Sequence, residues 1–185
     1  MLGFLVTFFD HESHNMTSLR TPIDTGLFEE LGTDTDRGAA IAGASIVEYS
    51  LGRALLGHMR PLSNNAVGRL FDDRGPLASF GARIEVAYAF QVCGPESRED
   101  LHRIRRVGNA FALVPRLGLS FDSMEIRQFC EALYLIDHFA YPLIPGIRVS
   151  EPLSLRDRYL CAVSLLATQL DGECVIKGGS PALKT

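Results

Sequence analysis

Residues 98 to 109 carry the densest cluster of side chains that could bind a charged group. At about 100° per residue, helical spacing places four of them in one stripe: Arg98, His102, Arg105 and Asn109. Two more arginines, Arg103 and Arg106, lie on the opposite flank of the apolar face. Arginine pairs with phosphates and carboxylates, so the six residues predict a contact with phosphate or with an acidic partner. The alternative is a solvated flank, because Glu99 and Asp100 offset half of the local positive charge.

A single carboxylate, Glu48, follows an uncharged stretch in the longest predicted helix. Residues 38–47 read GAAIAGASIV, and a helix that is apolar on all sides is buried. A carboxylate in such a helix needs a partner, either a cation or a backbone group. We predict a structural ion pair, with a functional buried acid as the alternative. The candidate cations are Arg37, Arg53 and Arg83.

Two short motifs resemble catalytic or metal-binding signatures but lack their context. Residues 24–26 spell Asp-Thr-Gly, as in aspartic proteases, but neither a strand-turn setting nor a second copy is visible. Residues 10–14, DHESH, hold several metal-ligand types, yet they are not HExxH and lie in a loosely organised arm. No Walker-type glycine-rich loop occurs. The sequence therefore predicts no catalytic residue, no metal site and no cofactor.

The elements that position these residues are predicted as helices from apolar spacing and capping signals. The predicted ranges are 36–59, 78–92, 97–115, 122–138 and 154–170. Thr33 to Thr35 offers the first cap, and three later starts have the spacing of a capping box: Ser97 with Asp100, Asp122 with Glu125, and Ser154 with Asp157. No alternating strand pattern is present. We predict an all-α, single-domain bundle of about five to seven helices around the small-residue helix.

Glycine at position 108 predicts a close contact between helices. On the predicted helix, one face is formed by Leu101, Ile104, Gly108, Phe111 and Pro115. A glycine within a helix costs about 1 kcal/mol relative to alanine, so its presence on the core side indicates tight packing there.

Composition predicts one domain with loosely ordered ends. Of the 185 residues, 46% are hydrophobic and 22% charged, which is typical of soluble globular proteins. The predicted divisions are an arm at 1–33, a helical domain at 34–172 and a disordered tail at 173–185. The net charge of −4 excludes a global field that attracts nucleic acid, so nucleic acid could bind only through the local arginine patch.

The cysteines and the apolar N-terminus predict a cytoplasmic protein. The four cysteines have no CxxC spacing and are predicted to be reduced core thiols: Cys93, Cys130, Cys161 and Cys174. Residues 1–9, MLGFLVTFF, lack a basic n-region and are too short to span a bilayer, so we predict no membrane contact. This apolar segment favours docking or self-association into a homo-oligomer.

Four ordered segments resemble the mannitol operon repressor (MltR) family. They are DTDRGAAIAGASIVEYSL at 34–51, RLFDDRGPLASFGARIEVAYAF at 69–90, DLHRIRRVGNAFAL at 100–113 and LSFDSMEIRQFCEAL at 119–133. The most specific piece is GPLASFGARIEVAY, and residues 155–170 match more loosely. The resemblance implies an all-helical bacterial transcriptional regulator without a recognisable helix-turn-helix. Such a protein is expected to act through a protein partner, or through its local arginine surface.

The resemblance also bears on catalysis. Many family members carry Arg-Asn-x-Phe-Ala-His at the end of the arginine-rich helix, which resembles the motif of HEPN-type ribonucleases. The matching positions here are Gly108, Asn109, Phe111, Ala112 and Leu113. Leucine cannot move a proton and glycine offers no charge to a phosphate, so we predict that the protein is not an enzyme. The alternative function is a catalytically inactive HEPN-like module that binds proteins.

Overall fold

The part of the chain that the structure describes is entirely helical. The computed structural model describes residues 35–72, 74–113, 118–137 and 153–175, with side chains up to residue 172. We number the helices α1 (Asp36–His58), α2 (Asn64–Phe71), α3 (Phe80–Ala89), α4 (Pro95–Leu113), α5 (Met124–Glu131) and α6 (Leu155–Val175). Residues 134–137 form a further helical turn, and no strand occurs in these ranges. The prediction of an all-α bundle is confirmed.

Helix α1 is the central element of the bundle. It packs most extensively against α6 and α4, and also against α3. The Thr35 hydroxyl caps it by accepting a hydrogen bond from the Gly38 amide at 3.1 Å. By length and composition α1 could cross a membrane, but 61% of its most apolar window is buried inside the bundle. Burial of that kind is expected of a core helix.

Two glycines let α1 approach its neighbours closely. A Cβ added to Gly43 would lie 3.0 Å from Cε1 of Tyr159 on α6. A Cβ added to Gly108 on α4 would overlap the Cβ of Ala44 on α1. The prediction that Gly108 marks a tight helix contact is confirmed.

Tyr159 joins α6 to the start of α1 inside the core. Its side chain is fully buried, and its hydroxyl donates to the Ala40 carbonyl at 2.7 Å. Its ring centroid lies 5.2 Å from that of Phe121, which lies 5.4 Å from that of Phe111 on α4. Burial raises the pKa of Tyr159 far above its usual range, so the hydroxyl remains a donor.

The predicted helix over 122–138 is wrong, because the chain breaks after α5. α5 ends at Glu131, and a helical turn begins again at residue 134. Side chains from other helices hold both sides of the break. Arg158 donates to the carbonyls of Cys130 and Leu133, and Asp100 accepts hydrogen bonds from the amides that open the next turn. Neither partner is close in sequence.

The capping predictions had mixed outcomes. Ser154 accepts from the Asp157 amide at 3.1 Å, as predicted. The Ser97 cap is wrong, because α4 already begins at Pro95, where a missing N–H is harmless, and Ser97 is buried in the first turn. The Asp122 cap is also wrong: Ser123 precedes α5, and its hydroxyl accepts from the Ser120 amide instead of capping the helix.

Other helix predictions need adjustment at their boundaries. α2 was not predicted, although Ser63 caps it through the Ala66 amide at 3.4 Å. α3 is shorter than the predicted 78–92, and α6 continues to Val175, beyond the predicted end at 170 and into the predicted tail. The arm at 1–33, with both of its short motifs, lies outside the described residues.

Three cysteines are buried free thiols, as predicted. Burial raises the pKa of Cys93 to about 11, of Cys130 to about 12 and of Cys161 to about 11. They are therefore protonated and unreactive at neutral pH. The side chain of Cys174 lies outside the described residues.

We predict that Gly108→Ala destabilises the protein by about 1–3 kcal/mol, because overpacking against Ala44 outweighs the gain in helix propensity. The measurement is urea unfolding followed by circular dichroism. Gly172→Ala is the matched control: nothing lies within 4 Å of a Cβ added there, so it should stabilise the protein by up to about 1 kcal/mol. Equal stabilisation by both substitutions would refute the tight contact.

Candidate interaction surface on helix α4

Helix α4 turns one face to the core and presents the other to solvent. Its buried residues are Ser97, Asp100, Leu101, Ile104, Val107, Gly108 and Phe111. The close contact at Gly108 sets the rotation of α4 on α1, and thereby decides which neighbours each charged residue meets. The predicted core face is correct at every described position.

The N-terminal end of the stripe is paired with Glu85 on α3. Arg98 donates from Nε and Nη2 to the Glu85 carboxylate at 2.8 to 3.1 Å. His102 Nε2 lies 2.8 Å from Glu85 Oε1. The hydrogen bonds from Arg98, and then from His102, hold the pKa of Glu85 below its usual range. Arg98 also lies over the Tyr88 ring, 5.1 Å from its centroid.

Arg103 is paired with a buried carboxylate. Asp100 is fully buried and accepts from Arg103 Nη1 at 2.7 Å. It also accepts from the amides of Tyr134 and Leu135 at 3.0 and 2.9 Å. Asp100 therefore caps the helical turn at 134–137, and Arg103 neutralises the cap.

Arg105 and Arg106 have no carboxylate partner among the described residues. Arg105 packs against Gly81 of α3, where an added Cβ would lie 3.8 Å from its Nε, and that buried Nε makes no hydrogen bond within the described ranges. Arg106 is exposed, with its guanidinium 5.7 Å from the ring centroid of Phe129 on α5. Asn109 is also exposed. The positive charge of α4 that has no acidic partner among the described residues is thus confined to its C-terminal half.

The predicted ion-pair residues lie elsewhere in the bundle. Glu48 of α1 pairs with Arg83 of α3 at 3.4 Å, and Arg83 also donates to the Leu77 carbonyl at 2.8 Å. Burial raises the pKa of Glu48 despite the opposing effect of Arg83. Arg53 pairs with Asp171 of α6 at 2.9 Å. Arg37 is half-buried in the first turn of α1.

The positions that match the ribonuclease motif are used for packing or are exposed. Gly108 is buried against α1 and has no room for a side chain, and Phe111 is fully buried. Asn109 and Ala112 are exposed, and Leu113 is 78% exposed. Within the described ranges, no three His, Cys, Asp or Glu side chains are grouped to hold a metal ion.

Comparison with protein-family models, with curated proteins and with solved structures finds no match for this chain. The resemblance to the MltR family therefore stays a prediction.

Two carboxylates divide the surface: the sequence reasoning missed Glu85, and it assigned Asp100 to a capping box and to the offset of nearby positive charge. A signal existed for Glu85, because it and Arg83 are the only charged residues of α3, and both pair with neighbouring helices. For Asp100 the signal is its position on the core side of α4, which its role in a capping box would not require.

We predict that Asp100→Ala destabilises the protein by about 3–5 kcal/mol, because it leaves Arg103, the buried Leu135 amide and the partly buried Tyr134 amide without an acceptor. Urea unfolding measures the loss, and amide hydrogen exchange should accelerate first at residues 134 and 135. Asp100→Asn keeps one acceptor oxygen, so it should lower the free energy of unfolding by less than Asp100→Ala does. Asp122→Ala, at an 81% exposed side chain, is the control and should change stability by under about 0.5 kcal/mol.

Proposed function

We propose that this protein is a transcriptional regulator of the mannitol operon repressor type that acts by binding an acidic protein partner. The contact residues are Arg105, Arg106 and Asn109 in the C-terminal half of α4. The observation that carries the proposal is the division of charge on this helix. Glu85 and Asp100 pair with Arg98, His102 and Arg103, whereas Arg105 and Arg106 have no acidic partner among the described residues.

The number of α4 cations without an acidic partner among the described residues favours a protein partner over direct binding of DNA by this helix. Affinity for duplex DNA falls with salt in proportion to the number of phosphates that cations neutralise. Four contacts would weaken binding by roughly 10² between 50 and 200 mM salt, whereas two contacts would weaken it by only about 10-fold. Two arginines on one helix, in a chain of net charge −4, therefore offer few contacts to DNA phosphates.

The surroundings of the arginines also suit a protein partner. Arg106 lies over Phe129 of α5, and the same two helices expose Leu113 at 78% and Met124 at 88%. Protein interfaces commonly combine arginine, aromatic and methionine side chains with apolar area. A partner with carboxylates beside an apolar residue would satisfy both parts of this surface.

A catalytically inactive HEPN-like interaction module is the second candidate function. It is favoured by Gly108, whose packing against Ala44 leaves no room for the arginine of the ribonuclease motif. Both candidates use the same surface. They differ in whether loss of the contact changes transcription.

We predict that Arg105→Ala combined with Arg106→Ala lowers capture of the partner at least 10-fold. The measurement is a pull-down from native cytosol with the purified protein as bait, with and without nuclease, and washed at low salt or 300 mM salt. A protein partner should remain after nuclease treatment. Arg127→Ala, an exposed α5 arginine paired with Glu131, is the matched control and should capture normally.

Transcript profiling separates the two candidate functions. Cells carrying the double substitution should show the transcript changes of a deletion strain if the protein is a regulator. An unchanged profile beside a lost partner would favour the interaction module. Capture of nucleic acid that nuclease and 300 mM salt both abolish, with no protein retained, would contradict the proposed partner.

A further inference from the structure

The outward side of α4, opposite its core face, carries one continuous stripe of residues. Six residues follow one another at intervals of four and three: Pro95, Glu99, His102, Arg106, Asn109 and Leu113. This spacing places them in one narrow stripe along the helix. All are exposed except the half-buried His102. We call these six residues the outer seam.

Charge is distributed unequally along the outer seam and beside it. The N-terminal half carries the half-buried Glu96 and the exposed Glu99, whose side chain is 51% exposed and lies 3.4 Å from Arg98. The C-terminal half carries Arg105 and Arg106, which have no acidic partner in the described ranges. Of these four residues, Glu99 and Arg106 lie in the outer seam itself, so the seam is acidic toward its N-terminal end and basic toward its C-terminal end.

Exposed apolar residues lie beyond both ends of α4. Phe90 is 65% exposed in the turn before the helix, beside Tyr88 at 43%. Leu113 closes the helix, and Met124 opens α5. The position of Phe90 is fixed by a Schellman-type turn, in which Gln91 has a φ of 59° and the Val92 amide donates to the Ala87 carbonyl at 2.8 Å.

We propose that a second copy of this chain docks on the outer seam, with the two α4 helices antiparallel. A two-fold axis between His102 and Arg103 would set Glu99 of each copy against Arg106 of the other. This interface is isologous, so each contact occurs twice. Leu113 lies seven residues, or about 10.5 Å, beyond Arg106, which brings it to the turn that holds Phe90 of the second copy.

Charge complementarity is the reason for assigning this surface to a second copy. An antiparallel arrangement matches acid to base at both ends, and apolar residues to apolar residues beyond them. A helix of 19 residues is about 28 Å long. The outer seam alone would therefore bury less area than the ~800 Å² per partner of a standard interface. Tyr88, Phe90 and Met124 widen the contact at its two ends.

The inference does not depend on the proposed function, because it concerns the purified protein alone. It adds a consequence for that function, since Arg106 belongs to both surfaces. A second copy and an acidic partner would compete for Arg106, so a monomer would be the form that binds the partner.

The test is analytical ultracentrifugation of the full chain with charge-reversed variants. We expect a concentration-dependent dimer whose dissociation constant rises about 10-fold or more in Glu99→Arg and in Arg106→Glu, because each places two like-charge pairs in the interface. The double variant, Glu99→Arg with Arg106→Glu, restores opposite charges and should return to within about 3-fold of the parent. Arg69→Glu, at an exposed arginine of α2, is the matched control and should leave the dimer unchanged.

Each outcome decides the inference. A chain that remains monomeric up to about 100 µM, or a dimer that neither reversal weakens, overturns it. So do two weakened single variants that the double variant fails to rescue. Circular dichroism of each variant separates a lost dimer from a lost fold.

The partner pull-down distinguishes this inference from the proposed function. Glu99→Arg should break the dimer and leave Arg105 and Arg106 intact, so capture of an acidic partner should persist or increase. Loss of the dimer with capture retained supports both proposals, whereas a stable dimer without capture supports only the second copy.

Discussion

The close approach of α1 to its neighbours is the constraint on which the rest of the structure depends. Gly108 lets α4 rest on Ala44, and Gly43 lets α6 place the Tyr159 ring against α1. Interiors are packed as densely as organic crystals, so these contacts leave little freedom for α4 or α6 to rotate about its axis. The hydrogen bond from Tyr159 to the Ala40 carbonyl then fixes α6 along α1. Small residues on α1 thus determine the orientation of two long helices.

The orientation of α4 decides the chemistry of its arginines. With Gly108 against α1, the stripe at Arg98 and His102 faces Glu85 on α3, and Asp100 points inward to the turn at 134–137. Exposed pairs such as Arg98 with Glu85 add little to stability. Their effect is to remove positive charge from the N-terminal half of the surface. The buried Asp100 acts differently, because it holds two segments together.

Sequence reasoning predicted the features that depend on residues within one helix. It missed the contacts between residues that are far apart in the sequence. Thr35 as a cap, the buried character of α1 and the tight contact at Gly108 follow from residue types within one helix. The break after α5 was missed because Arg158, 25 residues beyond Leu133, holds one side of it. The pairing of the arginine stripe was missed for the same reason: Glu85 lies 17 residues before His102, on another helix. Periodicity identifies a face, but it does not identify the partner opposite that face.

Pairing some of the α4 arginines with carboxylates of this chain restricts which ligands the remaining arginines can bind. If all the α4 cations were free, the surface would attract any polyanion, and the response to salt would be steep. With Arg98, His102 and Arg103 held by Glu85 and Asp100, the remaining positive area on α4 is small, and the aromatic ring of Phe129 lies beside it. A ligand must then match both a small positive area and its apolar border. Few polyanions meet that requirement, whereas a folded protein surface can.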